Sequence, residues 1–356
     1  MRTICLVLLV AAGAYSDSCL GRCGEKDLSK SCQCNSSCKK FYDCCKDYFE
    51  ICFSCQDRCG EAYLSSKPCQ CNDKCPSHGN CCDDYNDLCG GGEGVTDNEL
   101  RHLTESLLSF DVNNVGSLIT VDPQGKGSTS EDVAPGPFFT HVPPEALSGP
   151  TISALIALQD NYIPNVSEGE IEEPGEVAEL ENFLDAIMAT KVMQMTDDFL
   201  YEKKLCTGSL RSKIKEIWFD LYPRGSGSAL GSSGFEHAFV GEIKKGAVSG
   251  FHNWVYFYTE ESAGNLDYGG WSKVRDFGVK GLVLEDHFEW LNYKKSVGSS
   301  FIATSPEFEI AVYTVCFLAR PDSLCPVQMG GHQFKIQTWT YKYAGKTLIG
   351  SAYPHL

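Results

Sequence analysis

The chain has 356 residues, of which 42% are hydrophobic and 11% aromatic, so a wholly disordered or fibrous protein is excluded and more than one domain is expected. Its net charge of −17, from 30 Lys and Arg against 47 Asp and Glu, argues at first against a nucleic-acid partner, because phosphate is bound by Lys and Arg. The distribution reverses much of that argument: residues 1–90 carry −2, residues 91–200 carry −17 and residues 201–356 carry +2, so a polyanion would bind the last third.

The opening stretch, residues 1–16, has Arg2, a short apolar run from Ile4 to Ala14 and small residues at Ala14 and Ser16. This is the pattern of a secretory signal peptide, too short for a membrane span. No later segment approaches the roughly 18 apolar residues that a spanning helix needs. The expectation is therefore a secreted, extracellular protein; a monomer is expected separately, with nothing in the sequence fixing the oligomeric state. Secretion gives meaning to two glycosylation sequons, at Asn35 and Asn165.

Sixteen of the 20 cysteines fall between Cys19 and Cys89. Cys19, Cys23, Cys32, Cys34, Cys38, Cys44, Cys45 and Cys52 recur as Cys55, Cys59, Cys69, Cys71, Cys75, Cys81, Cys82 and Cys89, a tandem duplication. Units of about 35 residues cannot stabilise a hydrophobic core, so four disulfides each must do what burial cannot. Eight cysteines allow 105 pairings, and sequence cannot choose among them. A zinc site at Cys32-Gln33-Cys34 or Cys44-Cys45 is disfavoured, because metal knuckles prefer wider spacing and secreted thiols oxidise. The Cys-x-x-x-Cys, Cys-x-Cys and Cys-Cys pattern, with Asp47-Tyr48 and Asp84-Tyr85 following, resembles somatomedin B domains over residues 17–54 and 55–90. The resemblance implies a binding module with an extracellular protein partner, and the pairing Cys19–Cys34, Cys23–Cys52, Cys32–Cys45 and Cys38–Cys44, repeated in the second unit.

Gly90 to Gly94 and the flanking residues, 91–95, read as a flexible linker, so the next domain is set at 96–356. From Thr96 to about Lys204 the periodicity is helical: Leu100, Leu103, Leu107 and Leu108 follow a cap at Thr96 or Asp97, and Val177, Leu180, Leu184, Ile187 and Met188 lie within Glu176–Met195. Residues 122–150 and 163–175 read as surface connections. After Phe235 aromatic and β-branched alternation predicts strands over 236–243, 251–258, 279–284, 309–319 and 333–343, with a last hairpin turning at Ala344-Gly345. Helices followed by strands predict an α+β domain with a helical N-terminal part and antiparallel sheets. No GxGxxG, no phosphate loop and no GxSxG elbow is present.

His237 and His252 lie fifteen residues apart in consecutive predicted strands joined near Lys245-Gly246, so a hairpin could bring them to one face. A lone strand histidine is ordinarily a satisfied core or surface residue. The surrounding text decides otherwise: Ser233-Gly-Phe-Glu-His237, Ser249-Gly-Phe-His252-Asn-Trp254 and Lys295-Ser-Val-Gly-Ser299, running on to Glu309, occur in that order with Tyr353-Pro354 beyond them. Together they resemble the uridylate-specific endoribonuclease (EndoU) family, over about Thr96 to Leu356. Metal-free RNA cleavage can use the neighbouring 2′-hydroxyl, which needs a base, an acid for the leaving 5′-oxygen, and a cation for the phosphorane. Carried over from the family, His252 is the general base, His237 the general acid and Lys295 the cation. The expected products end in 2′,3′-cyclic phosphate.

The resemblance further implies uracil binding by Ser299 and Tyr353, Mn2+ dependence, and single-stranded, U-containing RNA as substrate. The sequence itself shows no metal-ligand set. Glu236 and Glu242 flank the first histidine and could orient it, bind a divalent ion or face solvent. Lys244, Lys245, Arg275, Lys280 and Lys294 are candidates for a phosphate track. Cys206, Cys316 and Cys325 leave an odd thiol, with Cys316–Cys325 a plausible bridge. The alternative function is a non-catalytic adhesion or protein-binding role carried by the somatomedin B units, which requires a missing or misplaced His237, His252 or Lys295.

Overall fold

The computed structural model describes residues 18–19, 21–35, 37–41, 43–56, 58–72, 74–82, 84–89, 94–127, 131–170, 173–225 and 227–356. The leader reading of 1–16, Ser36 of the first sequon, residues 90–93 of the Gly-rich stretch, and 128–130 and 171–172 of the two connections lie outside the described residues. The chain divides into two units, Met1–Asn98 and Glu99–Leu356.

In the first unit each cysteine repeat is a knot with two short helical turns, Cys38–Phe41 and Tyr48–Cys52 in the first, Cys75–His78 and Tyr85–Leu88 in the second. The bridges are Cys19–Cys34, Cys23–Cys52, Cys32–Cys45 and Cys38–Cys44, then Cys55–Cys71, Cys59–Cys89, Cys69–Cys82 and Cys75–Cys81. Polar side chains close the loops that no core can hold. The Gln33 amide bonds the backbone of Asp27 in both directions, at 2.8 Å each, and Gln70 does the same to Leu64. The aspartates of the repeated Asp-Tyr pair accept from the first cysteine amide of each knot, Asp47 from Cys19 and Asp84 from Cys55. That fixes where the chain enters each knot.

The second unit begins with helices. Asp97–Phe110 buries Leu100, Leu103, Leu107 and Leu108, the face that the leucine spacing predicts. Pro174–Met188 and Lys191–Glu202 are separate helices, because Thr190 caps the second through Met193 N at 3.3 Å; the single run Glu176–Met195 is thus corrected. Two three-stranded antiparallel sheets follow. One joins Leu266–Asp276, Leu282–Trp290 and Tyr293–Ile302 in chain order; in the other His332–Tyr343 lies between Leu324–Met329 and Lys346–His355. The hairpin at Ala344-Gly345 has positive φ at both turn residues, 47° and 77°, as a two-residue turn between twisted strands requires. Lys245-Gly246, at 52° and 78°, joins the small strands Glu242–Lys244 and Ala247–Ser249 in the same way.

Three segments read as strands are helical. Residues 236–240 form a wide helical turn, Trp254–Ser262 is a helix capped by Asn253, which accepts from Val255 N and Tyr256 N, and Pro306–Ala319 is a helix capped by Ser305. The last is buried on all sides from Pro306 to Phe317, so it shows no polar stripe, and a continuous apolar run cannot be told from a buried strand. Its core contacts include Trp218, whose Nε1 donates to Thr314 Oγ1 at 2.9 Å. Cys316 and Cys325 are bridged, and Cys206 is free and buried.

Candidate active site

The two histidines meet through main-chain bonds, by a different route from the predicted hairpin face. His237 sits on the helical turn before the Glu242–Lys244 strand, and His252 in the loop after Ala247–Ser249. Phe251 N donates to the His237 carbonyl and His252 N to the Ala238 carbonyl, each at 2.8 Å. Only glycine permits this approach: a Cβ on Gly250, whose φ is +69°, would lie 1.8 Å from the His237 carbonyl oxygen. The imidazole rings end up 6.3 Å apart between centres, near enough for one phosphodiester to touch both.

Each ring is held through Nδ1. His252 Nδ1 is 2.8 Å from the Ser299 carbonyl oxygen; a carbonyl only accepts, so Nδ1 carries the proton and Nε2 the lone pair. His237 Nδ1 is 2.6 Å from Glu242 Oε2, and its Nε2 is 3.1 Å from Ser351 Oγ. Glu242 is fully buried. Its other oxygen takes the Ser232 hydroxyl and Arg224 Nε, the latter at 3.0 Å. Burial alone would raise the Glu242 carboxyl, yet His237 and Arg224 hold it below the usual range, so it is an anion.

Lys295, in the Tyr293–Ile302 strand, donates to the Gly250 carbonyl at 2.6 Å. With His237, His252, Ser299, Ser351 and Tyr353 it lines one cleft of about 540 Å³. Burial lowers the Lys295 ammonium to about 8 against the pull of Asp286 and Glu242. Beneath it Asp286 is buried and raised to about 7, mainly by desolvation; its Oδ1 would touch any Cβ at residue 298, at 2.2 Å, so Gly298 is obligatory there. Burial also pushes both histidines down, His237 to about 4 and His252 well below its ordinary value. Both rings are therefore neutral at pH 7 beside a largely charged lysine.

The family model for endoribonuclease XendoU matches residues 99–354, and that for the somatomedin B domain matches 17–54 and 53–92. The uridylate-specific endoribonuclease of Bos taurus is 36% identical over 407 residues, covering 99% of this chain and 97% of the relative. That of Paralichthys olivaceus is 39% identical over 382 residues, with the same coverage. The chain belongs to the uridylate-specific endoribonuclease family, XendoU. A solved structure of XendoU, described as a splicing-independent snoRNA-processing endoribonuclease, is 38% identical with a TM-score of 0.62, covering 73% of this chain and 98% of that one.

Within the XendoU domain His237, His252, Lys295, Ser299 and Tyr353 share the cleft. Ser299 Oγ donates to the Pro354 carbonyl at 2.7 Å, and the Tyr353 ring stacks on His252 at 5.2 Å between centres. Glu236 and Glu242 do not face solvent: both are fully buried. None of Lys244, Lys245, Arg275, Lys280 and Lys294 lines the cleft; Lys280 donates to the Asp111 carbonyl, and Lys294 borders a pocket with Asp132, Asp267 and Glu289. Sequence reasoning missed Ser351, Trp339 and Arg224. Ser351 stands two residues before Tyr353 on one strand face, a signal that alternation carries; Arg224 lies in an irregular stretch with no period to read.

The residues of the XendoU cleft do not fit a bound Mn2+. Glu242 is committed to His237, Ser232 and Arg224. Among the described residues, the only groups of three or more His, Cys, Asp or Glu with ligand atoms within 4.8 Å of one another are Cys19, Cys34 and Cys45, and Cys55, Cys71 and Cys82, and these sulfurs are in disulfides.

Glu236 is the odd member of this neighbourhood. Both its carboxylate oxygens are buried without a hydrogen-bond partner, and burial, with Glu242 and Glu170 nearby, raises it to about 10. Unfolding frees a carboxyl that ionises near 4.5, so the wild type loses stability as pH climbs from there toward 10. Glu236→Gln is expected to melt close to wild type at pH 4.5 and several degrees higher at pH 8; equal melting shifts at the two pH values would contradict a protonated Glu236.

Proposed function

We propose that the XendoU domain cleaves single-stranded RNA at uridylates by internal attack of the 2′-hydroxyl on the adjacent phosphorus, releasing the 5′-oxygen and leaving a 2′,3′-cyclic phosphate. The observation that carries this reading is the fixed pair of tautomers: His252 presents an unprotonated Nε2 beside Lys295 and opposite His237. His252 takes the 2′-hydroxyl proton. His237, with Nδ1–H on the Glu242 anion, is charged when the phosphate arrives, because an added anion favours the imidazolium, and its Nε2–H then goes to the leaving oxygen. Lys295 stabilises the phosphorane charge.

Uracil selection follows from the Ser299 hydroxyl. Its proton is directed at the Pro354 carbonyl, so its lone pair is free to accept from the uracil N3–H. Cytosine has no proton at N3 and leaves that acceptor unpaired, which costs discrimination energy in a buried site. Tyr353 supplies a ring for base stacking.

The signal peptide, secretion, glycosylation at Asn35 and Asn165, a monomeric state and an extracellular partner for the somatomedin B domains complete the proposal. Manganese, implied by the resemblance, acts on the RNA or on folding, since among the described residues no group of three ligands converges in the cleft. The test is to incubate the protein with single-stranded RNAs containing or lacking uridine, with Mn2+ or chelator, and to identify product ends. Cuts beside uridine with cyclic phosphate ends are expected; linear 3′-phosphate from the first instant, or cleavage of an all-2′-deoxy strand, would defeat the internal-attack mechanism.

A further inference from the structure

The antiparallel pairing of His332–Tyr343 with Lys346–His355 puts three couples in register beyond the bulge at Ile349/Ser351: Ser351 opposite Trp339, Tyr353 opposite Gln337, and His355 opposite Lys335. Side chains alternate across a strand. Ala352, Pro354, Ile336 and Thr338 are buried, while Lys335, Trp339 and His355 are exposed, Ser351 and Tyr353 partly so and Gln337, between them, is buried; the alternation puts the three couples on one face. That face begins at Ser351, against His237, and continues along the cleft wall through Tyr353 to His355, which itself lines the cleft. At about 3.4 Å per residue, His355 stands roughly 13 Å from Ser351 along the strand, a distance of one or two nucleotides.

We propose that Lys335 and His355 form a phosphate subsite that grips the RNA backbone one or two nucleotides from the cut uridine. Directly opposed side chains in such a ladder lie about 5 Å apart at Cβ, so one phosphate can bridge them. The Lys335 ammonium supplies charge, and the His355 imidazole has an N–H to donate in either protonation state. In a chain of net charge −17 the couples carry no Asp or Glu, and neither do Leu324 and Pro326, the residues paired with Gln337 and Lys335 on the next strand. Glu285, an acid that lines the cleft, is already met by Ser272 and Lys273, at 2.5 and 3.1 Å. Many other lysines of the domain are engaged, among them Lys203 with Glu99, Lys215 with Glu181 and Lys346 with Asp220. This inference rests on the RNA-cleaving reading and adds to it a length requirement.

The test uses the full chain and uncleavable strands in which the only uridine is 2′-deoxy, as a dinucleotide and as hexamers extended on the 5′ or the 3′ side. Lys335→Gln with His355→Ala is expected to weaken one hexamer roughly tenfold and the dinucleotide by less than twofold. One lost phosphate contact should also flatten the slope of log affinity against log salt by about 0.7 for that hexamer. Lys213→Gln, in the helical part of the domain and paired with Glu216, should leave the slope in place. Equal weakening of dinucleotide and hexamers, or none of either, overturns the subsite while leaving the nuclease reading standing. Wild type that binds none of these strands, and cuts no uridine-containing RNA, removes the reading beneath it.

Discussion

Lys295→Ala lowers kcat/KM for uridylate cleavage by about 10²–10³-fold, the cost of deleting one preorganised group at a developing anion. The side chain is partly buried and, among the described residues, its hydrogen bond goes to the Gly250 carbonyl, so the melting temperature should stay within a few degrees of wild type. The pH profile adds an independent readout. With its ammonium held at about 8, a group lowered from its ordinary value loses its charge as pH rises through 8, so kcat/KM, which reports the free enzyme and already falls as His237 loses its proton above about 4, should lose a further factor of about ten per unit above 8, giving a steeper alkaline limb there. Lys295→Arg carries a charge that does not titrate in this range, so the added steepness above 8 should vanish, leaving the shallower fall set by His237, even though the rate is reduced. An unchanged alkaline limb in Lys295→Arg, or wild-type activity in Lys295→Ala, would strip Lys295 of its role.

His252→Ala should cost about 10²–10⁴-fold in kcat, the span of a lost general base, and added imidazole should return part of it. The truncation also removes the ring on which Tyr353 stacks and the bond to the Ser299 carbonyl. Substrate affinity is therefore the necessary second measurement: binding to a 2′-deoxyuridine strand within a few-fold of wild type means that the loss is chemical. Loss of binding in proportion to loss of rate would instead make His252 a positioning residue for the uracil wall. Glu242 acts only through His237, and the largely covered Arg224 beside it means that removing its carboxylate would leave a poorly solvated cation without its counter-charge, so its variants are expected to lose fold as well as rate.

The parts of this protein that its sequence states outright are those set by covalent or local geometry. Sixteen cysteines in two copies of one spacing announce two knots, because units so short have no other source of stability. Turn residues free to take positive φ place the hairpins at Lys245-Gly246 and Ala344-Gly345, and strict alternation marks the strand that starts at His332. The motifs around His237, His252 and Lys295 give the family, and with it the composition of the cleft.

Tertiary structure alone decided what local preference leaves degenerate. Residues 236–240, 254–262 and 306–319 are rich in aromatic and β-branched side chains yet helical, because the first is buried throughout and the last nearly so, and caps at Asn253 and Ser305 outweigh a weak strand propensity in the other two. The meeting of the histidines depends on Gly250 passing against the His237 carbonyl, a contact between loops that no period encodes. The placement of charge was settled in the same way. Lys244, Lys245 and Lys294, near the catalytic motifs in sequence, do not line the cleft, whereas Lys335, distant from them in the chain, is set opposite the cleft-lining His355 by strand register, since a ladder fixes which residues share a face and sequence proximity does not.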